Sequence, residues 1–434
     1  MLKNSSTRRE FLKTTAAVGM AAGLGLSVAR SAHAQGSGTI KIGVVGCGGR
    51  GMGAAIQAMQ SGKDVKVVAV GDYFKQRAKQ GADALKEQAP DQVDISEDRI
   101  FDGFNNDQGV IASDVDVVLI ACAAKFHPLY TKRAVEAGKH VFVEKPHAID
   151  AAGIHTLEEA IKIARDKNLS LLSGLHSRYC PQFRALVEKI HEGAIGDVRS
   201  IQSAFLRSPY GVRGYPEGMS ELDVQVYNQY MFRWLSGDDF TQSLVHNVDR
   251  MTWVLGGKLP TQAVGMGGRA SMTKRDYGDV FDHHSAIFCY PEDRCRLFAV
   301  CRTEIGCYDL YDDLILGTKG TAYWNEGKIV GETNWQFKGQ HLGGHLEEQL
   351  DFYDKLRKGE RIDSGDYMVN STLMAILGQV ACYTGRMITW QELYDSKFVF
   401  KPAPEECVAG MNPPVVPGEN GSYPVPIPGQ HAWW

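Results

Sequence analysis

The 434-residue sequence contains no Cys-x-x-Cys pair, no internal repeat and no excess of positive charge. Without such a pair, its nine cysteines do not suggest a zinc site or a thioredoxin-like redox site. Its 47 basic and 51 acidic residues give a net charge of −4, and a mildly acidic protein repels phosphate backbones and anionic lipid surfaces. We therefore expect neither nucleic acid nor a metal ion among its partners.

The first 34 residues have the pattern of a twin-arginine export signal. Arg8 and Arg9 precede a weakly apolar run, and Ala32 and Ala34 supply the small side chains of a cleavage site. The run is too short and too rich in glycine to span a membrane. Its removal would leave 400 residues with a net charge of −8, enough chain for two domains. We expect a periplasmic or otherwise exported protein that uses the twin-arginine machinery and is not held in the membrane after cleavage.

A glycine-rich turn, residues 46–51, connects a buried-strand pattern to an alanine-rich helical pattern. Its Gly-x-Gly-x-x-Gly spacing allows a tight turn, a close approach of the backbone to a pyrophosphate and close packing of the helix on the strand. The phosphates would then face unpaired N–H groups at the helix N-terminus. The residues expected to contact the cofactor here are Gly46, Gly48, Gly49, Arg50 and Gly51.

A second strand pattern ends at Asp72, about 20 residues after the turn. A carboxylate in this position accepts hydrogen bonds from the ribose hydroxyls and repels a 2′-phosphate, which favours NAD over NADP. Arg77 lies close enough in sequence to keep NADP as an alternative cofactor. Strand and helix patterns then alternate as far as Lys145, which is typical of a parallel sheet covered by helices. We predict an α/β dinucleotide-binding Rossmann domain over residues 39–160.

Several stretches of this chain resemble the family of glucose–fructose oxidoreductase, inositol dehydrogenase and MocA. They are GVVGCGGRG at the glycine turn, KFHP with His127, EKP with Glu144 and Lys145, and SLVHNVDRMTWVLG with His246. The resemblance extends over residues 39–400 and implies that His127, Glu144 and Lys145 contact the cofactor. It also implies that His246 holds or protonates the reacting oxygen of the substrate.

The same resemblance implies a second, α+β domain over residues 170–400, with an open, mostly antiparallel sheet and helices on one face. Short β-rich runs separated by turn signals agree with this fold. Residues 174–198 resemble the family's Arg-x-x-Pro motif, which implies substrate contacts from Arg178 and Tyr179. Because the exposed face of such a sheet usually pairs with another subunit, we expect a homodimer or homotetramer. The Pro- and Gly-rich tail, residues 401–434, is expected to run extended over a surface, such as that of a partner subunit.

Hydride chemistry on a sugar hydroxyl needs a base that accepts the hydroxyl proton. Lys145 suits this role if burial and a positive nicotinamide favour its neutral form. Many family members carry an aspartate four residues before the histidine, where this chain has Gln242. An amide can form a hydrogen bond with a hydroxyl but cannot take its proton, so Lys145 and His246 must share the acid–base work.

Residues 204–236 combine many aromatic side chains with interleaved arginines. Seven of these 33 residues are aromatic, whereas the average for the whole chain is 9%. Aromatic faces and cations around a cleft suit a carbohydrate ring with hydroxyl or acidic substituents. We expect Tyr210 and Arg213 to bind the substrate together with Gln242; the alternative is a packed loop over the sheet.

The function predicted from these observations is an exported NAD(P)-dependent oxidoreductase that acts on a sugar, a polyol or a related hydroxy compound. Free nicotinamide cofactor should be scarce outside the cytoplasm, so the cofactor would be bound during folding and regenerated within one active site. One alternative is a glycosidase or lyase that recycles a trapped NAD through transient oxidation of a sugar hydroxyl. Another is a sugar-binding sensor that keeps the nucleotide fold without catalysis.

Overall fold

Two β-sheets organise the part of the chain that this computed structural model describes, residues 38–291, 295–340 and 342–430. The predicted export signal lies outside these residues. Among the described helices, none is both long enough and apolar enough to cross a membrane.

The first sheet is parallel throughout and has, within the described residues, six strands in the order β3–β2–β1–β4–β5–β6. They are β1 (Ile40–Val45), β2 (Val65–Gly71), β3 (Ile100–Phe101), β4 (Val117–Ile120), β5 (His140–Val143) and β6 (Leu171–Ser173). Their nearly continuous burial is typical of a parallel sheet that is covered on both faces. The strand order reverses between β1 and β4, and ligands of such sheets bind beyond the strand ends at this point. Strand β6 lies beyond the range 39–160 expected for this domain.

Helices connect these strands. They are α1 (Gly49–Gln60), α2 (Lys75–Gln88), α3 (Asn106–Ala112), α4 (His127–Glu136) and α5 (Ala151–Asp166). Helix α1 packs on β1, β2 and β4 through the small buried side chains of Ala54, Ala55 and Ala58. Its N-terminus therefore lies directly after the carboxyl end of β1, where the glycine turn joins them.

The second sheet has nine strands within the described residues, in the order β14–β13–β12–β11–β7–β10–β9–β8–β15. They are β7 (Val198–Arg207), β8 (Gln262–Gly268), β9 (His283–Cys289), β10 (Arg296–Thr303), β11 (Leu310–Gly317), β12 (Gly320–Tyr323), β13 (Lys328–Gly331), β14 (Trp335–Gln336) and β15 (Ile388–Thr389). Neighbouring strands are antiparallel except β7 and β10, which are parallel. The predicted α/β class and the mostly antiparallel second sheet are confirmed.

The remaining helices pack around this sheet and join it to the first one. They are α6 (Pro181–His191), α7 (Glu221–Tyr227), α8 (Arg233–Ser236), α9 (Val245–Val254), α10 (Gly344–Lys358), α11 (Gly365–Thr384) and α12 (Trp390–Tyr394). The buried helix α11 packs on β8, β9 and α9. Helix α10 instead packs on α1 and on the short segment His176–Tyr179. It thus brings residues from late in the chain to the glycine turn.

The described part of the C-terminal tail packs against its own chain. Tyr423 is buried by this packing, and its hydroxyl donates a hydrogen bond to the carboxylate of Glu221 on α7. Gln225 of the same helix donates to the carbonyl oxygen of Val415 at 2.7 Å. Tyr423 also contacts the ring of Phe232, so the tail holds α7 and the segment after it in place.

Candidate active site

A cleft opens beyond the carboxyl ends of β1, β2 and β4, at the N-terminus of α1. Its lining includes Gly46, Gly48, Gly49, Arg50, Asp72 and Arg77. No side chain caps the N-terminus of α1. The first backbone N–H groups of the helix are therefore left for an anion in the cleft.

The three spaced glycines of the motif, Gly46, Gly48 and Gly51, have different surroundings. Gly46 adopts a φ of +97°, and a Cβ there would lie 2.5 Å from the backbone of Ala121. A Cβ on Gly51 would lie only 1.8 Å from the carbonyl oxygen of Gly46, so this glycine allows the helix to pack. A Cβ on Gly48 would meet no atom within 4 Å, so the space above Gly48 is open. This cradle fits the pyrophosphate of a dinucleotide.

The carboxylate of Asp72 is nearly buried and is held by the backbone of neighbouring turns. Oδ2 accepts a hydrogen bond from the N–H of Cys47 at 2.8 Å, and Oδ1 accepts one from Phe74 at 3.0 Å. The Nη1 atom of Arg77 lies 3.7 Å from Oδ1. Its guanidinium also lies over the ring of Tyr227. The acidic group expected at the ribose is thus present and fixed, with a cation beside it.

A second cavity, of about 240 Å³, adjoins this cleft. The two share four lining residues, namely Arg50, Ala121, Cys122 and Tyr230. The second cavity brings together the side chains of His127, Glu144, Lys145, Tyr210, Gln242, His246 and His345. Six of these seven side chains were singled out in the sequence, and they come from widely separated segments.

Lys145 and His246 meet across this cavity. The Nζ atom of Lys145 donates a hydrogen bond to the backbone carbonyl oxygen of Gln242 at 2.8 Å. Gln242 lies in a π-helical turn, Phe240–Leu244, directly before α9, and His246 follows on α9 itself. Burial, together with the positive charge of Lys145, holds the pKa of His246 well below its usual range. The imidazole is therefore neutral at neutral pH, and its Nδ1 atom has no hydrogen-bond partner within the described ranges.

His127 and Glu144 line the second cavity rather than the nucleotide cleft. The Nδ1 atom of His127 lies 2.8 Å from the carbonyl oxygen of Pro146, and this contact fixes the segment that carries Lys145. Glu144 accepts a hydrogen bond from the Nε atom of Arg50 at 2.5 Å. Burial disfavours the charge of Glu144, but the positive charges of Arg50 and Lys145 outweigh it and hold the pKa of Glu144 below its usual range.

Arg178 and Tyr179 do not reach the cavity. The guanidinium of Arg178 pairs with the buried carboxylate of Asp249 on α9, with an Nη2–Oδ1 distance of 2.8 Å. Tyr179 is largely buried, and that burial raises its pKa to about 12. The ion pair with Asp249 therefore holds the Arg-x-x-Pro segment against the facing helix α9, away from the cavity. Arg213 lines the nucleotide cleft instead, where its guanidinium lies over the ring of Tyr227.

Two of the seven aromatic residues in the 204–236 segment line the second cavity. The rings of Tyr210 and Tyr230 stack with their centroids 4.4 Å apart, and the guanidinium of Arg207 lies 3.7 Å from the centroid of Tyr210. Arg207 is paired with Asp239, and Arg233 with Asp279. Most of the segment is therefore packed structure, while one tyrosine pair faces the cavity.

His345 is a cavity residue that the sequence analysis missed. It lies on α10, and its ring centroid is 3.9 Å from that of His176. The centroid of His176 is in turn 5.1 Å from that of His246. The sequence did contain one indication of paired polar side chains. His345 and Glu348 are three residues apart in a helical stretch, so they share a helix face.

Comparisons with known proteins agree with this geometry. Residues 40–174 match the model of an oxidoreductase family, GFO_IDH_MocA, described as an NAD-binding Rossmann fold. Residues 40–174 are an NAD-binding Rossmann domain. Inositol 2-dehydrogenase from Burkholderia multivorans is 31% identical over 207 residues, which are 48% of this chain and 57% of that protein. The chain therefore spans little more than half the length of this curated relative.

Solved structures show the same fold over most of the chain. Scyllo-inositol dehydrogenase from Lactobacillus casei, with bound NAD(H) and scyllo-inositol, has a TM-score of 0.61 and 21% identity. That match covers 81% of this chain and 99% of the solved one. Aldose-aldose oxidoreductase from Caulobacter crescentus has a TM-score of 0.62 and 17% identity, with the same coverage. At these identities the likeness concerns the fold alone.

Proposed function

We propose that this protein is an exported NAD-dependent oxidoreductase that acts on a hydroxyl group of a sugar, a polyol or a related compound. The observation that carries the proposal is the cavity that holds both Lys145 and His246 and shares four lining residues with the nucleotide cleft. A substrate carbon in this cavity would lie next to a nicotinamide that enters from the cleft. Relatives named as inositol dehydrogenases support the substrate class.

The residues of the first cleft fit NAD. The open space above Gly48 and the uncapped N-terminus of α1 would receive the pyrophosphate, and Asp72 would receive a ribose. When bound, NAD supplies a reversible hydride acceptor. Asp72 favours NAD over NADP, while Arg77 keeps some capacity for a 2′-phosphate.

Lys145 acts as the base in this proposal, with His246 beside it. As hydride leaves the substrate C–H bond, Lys145 in its deprotonated form takes the hydroxyl proton and a carbonyl group forms. The neutral imidazole of His246 donates a hydrogen bond to the same oxygen and orients it. The carbonyl oxygen of Gln242 holds Nζ of Lys145 in place, so the amine reaches the hydroxyl without a large movement.

Two features support a cofactor that stays bound. The segment from Arg213 to Tyr230 forms one wall of the nucleotide cleft, and the hydroxyl of Tyr73 donates to Asp223 of this segment at 2.7 Å. The tail then holds the same segment through Tyr423. A cleft enclosed in this way releases its ligand slowly, which suits an enzyme that must retain its cofactor during export.

The first experiment measures cofactor in the exported protein, purified without added nucleotide. Denaturation should release about one NAD(H) per chain, and sugars and polyols should then be oxidised or interconverted without added NAD. An empty protein that binds NADH only weakly would refute the retained cofactor.

The second experiment tests the base. Lys145→Met should lower turnover by about 100-fold or more while NADH still binds. The matched control is Lys132→Met, which removes an exposed lysine paired with Glu159 and should leave turnover unchanged. Full activity of Lys145→Met would refute the assigned role of Lys145.

A further inference from the structure

Three ionisable side chains converge at one wall of the second cavity. Glu144 follows β5, whereas His345 and Glu348 lie three residues apart on α10. One ligand-type atom from each lies within 4.8 Å of the others. Glu144 and His345 line the cavity, and Glu348 lies behind them with no exposed surface.

Among the residues that the structure describes, Glu348 has no hydrogen-bond partner for either carboxylate oxygen. The Nδ1 atom of His345 lies 3.5 Å from Oε1, and the Nη2 atom of Arg50 lies 3.8 Å from it. Arg50 is already engaged, since Nε donates to Glu144 and both Nη atoms donate to Gln57. An ionised carboxylate that is fully buried without hydrogen bonds is strongly unfavourable, so Glu348 is stabilised either by protonation or by a further positively charged group at this point.

The Nδ1 atom of His345 is a further polar atom that is directed toward the Glu348 carboxylate. This atom is buried and has no hydrogen-bond partner in the described part of the chain. The ring is held against His176, which fixes its orientation.

We propose that Glu144, His345 and Glu348 bind a divalent metal ion of the Zn²⁺ type at the wall of the second cavity. One imidazole nitrogen and two carboxylates form a ligand set that Zn²⁺ accepts, whereas Ca²⁺ prefers six to eight oxygen ligands. Three protein ligands would leave a fourth position on the metal, and a further ligand would reach it from the cavity that Glu144 and His345 line. A substrate hydroxyl or a water molecule would complete the coordination.

This site goes beyond the proposed hydride chemistry, which requires no metal. It also differs from the expectation that the protein binds no metal ion, which was drawn from the missing Cys-x-x-Cys pair. The absence of paired cysteines excludes thiolate sites only. A histidine and two glutamates from distant segments give no sequence spacing that identifies them together, because Glu144 lies about 200 residues before α10.

The test uses the full-length exported protein, stripped with a chelator and dialysed against ZnCl₂ in metal-free buffer. Elemental analysis should find about one Zn²⁺ per chain. Glu348→Gln and His345→Gln should each weaken Zn²⁺ binding by at least about tenfold, because each removes a ligand. The matched control is Glu347→Gln, which changes a partly exposed glutamate on the same helix and should bind Zn²⁺ as the unaltered chain does.

Circular dichroism of each variant shows whether the fold is intact, and the two ligand variants test the site independently. Absence of Zn²⁺ uptake by the unaltered protein would overturn the proposal and leave Arg50 as the counter-ion of both carboxylates. A second group of possible ligands consists of Asp282, His283 and Glu304. Zn²⁺ uptake that is lost in His283→Asn but kept in Glu348→Gln would also overturn the proposal, because the ion would then bind at that second group. NADH titration of the same samples separates this result from the proposed function, since a chain can fail to bind Zn²⁺ and still bind NADH.

Discussion

Replacing Gly48 with alanine should weaken dinucleotide binding while leaving the fold intact. Gly48 has a φ of −77° and a ψ of −179°, which alanine adopts without strain. Its added Cβ would meet no protein atom within 4 Å. The methyl group would instead occupy the open space above the N-terminus of α1, where the pyrophosphate is expected.

The size of the effect follows from the contacts that the methyl group would displace. A hydrogen bond from a backbone N–H to a charged phosphate is worth about 1.5–3 kcal/mol. Loss of one such bond would raise the Kd for NADH by about 10- to 100-fold. Stability should change by less than about 1 kcal/mol, because the poorer helix cap is offset by the lower conformational entropy of the unfolded chain.

The assay is a fluorescence titration with NADH, run alongside thermal unfolding of the same sample. Gly51→Ala is the informative contrast, since its Cβ would lie 1.8 Å from the carbonyl oxygen of Gly46. That variant should lose both thermal stability and NADH affinity. If Gly48→Ala bound NADH as tightly as the unaltered protein, the pyrophosphate would not pass over Gly48 and the assignment of the cleft would be wrong.

Three further predictions concern stability, pH and cofactor retention. Arg250→Leu leaves the buried carboxylate of Asp313 without its ion pair and should lower the free energy of unfolding in urea by about 3–5 kcal/mol. The double variant Arg250→Leu with Asp313→Leu should recover part of this loss. Burial holds the pKa of His147 well below its usual range, so its contribution to stability is complete above about pH 6.5 and falls on acidification. His147 should add up to about 1.4 kcal/mol per pH unit to that fall, so the fall should be smaller by this amount in His147→Gln, as chemical denaturation at several pH values would measure. Tyr423→Phe removes the hydrogen bond to Glu221, which is worth about 1 kcal/mol. If this bond helps to keep the cleft closed, its loss should speed NADH dissociation, measured by stopped flow, about fivefold. An unchanged rate would show that the tail does not hold the cleft closed.

The glycine turn could be predicted from sequence because its geometry is local. Strand, turn and helix follow one another without interruption, so the positive φ of Gly46 and the close contact of Gly51 with Gly46 arise within the turn itself. The placement of Lys145 after a strand end and of His246 on a helix could also be predicted, whereas their roles in catalysis stay predictions. Family resemblance, rather than residue spacing, indicated that the two would meet.

The prediction for Arg178 and the omission of His345 show where local information ends. Arg178 lies in a motif that suggested substrate binding, but Asp249 on the facing helix pairs with it. His345 was missed because α10 reaches the cavity only by packing on α1. Both outcomes depend on contacts between segments far apart in the chain, and a sequence pattern contains no information about which helix faces which.

The position of Gln242 shows how this chain differs from many members of the family it resembles. Its contact with Lys145 is made by the backbone carbonyl oxygen, so the residue type at this position does not decide where the lysine amine lies. The π-helical turn aims that oxygen into the cavity, because its carbonyl groups are displaced from the regular helical pattern. The change from aspartate to glutamine therefore removes a proton acceptor without releasing the lysine. With His246 neutral and buried, the amine of Lys145 is then the group best placed to take the hydroxyl proton.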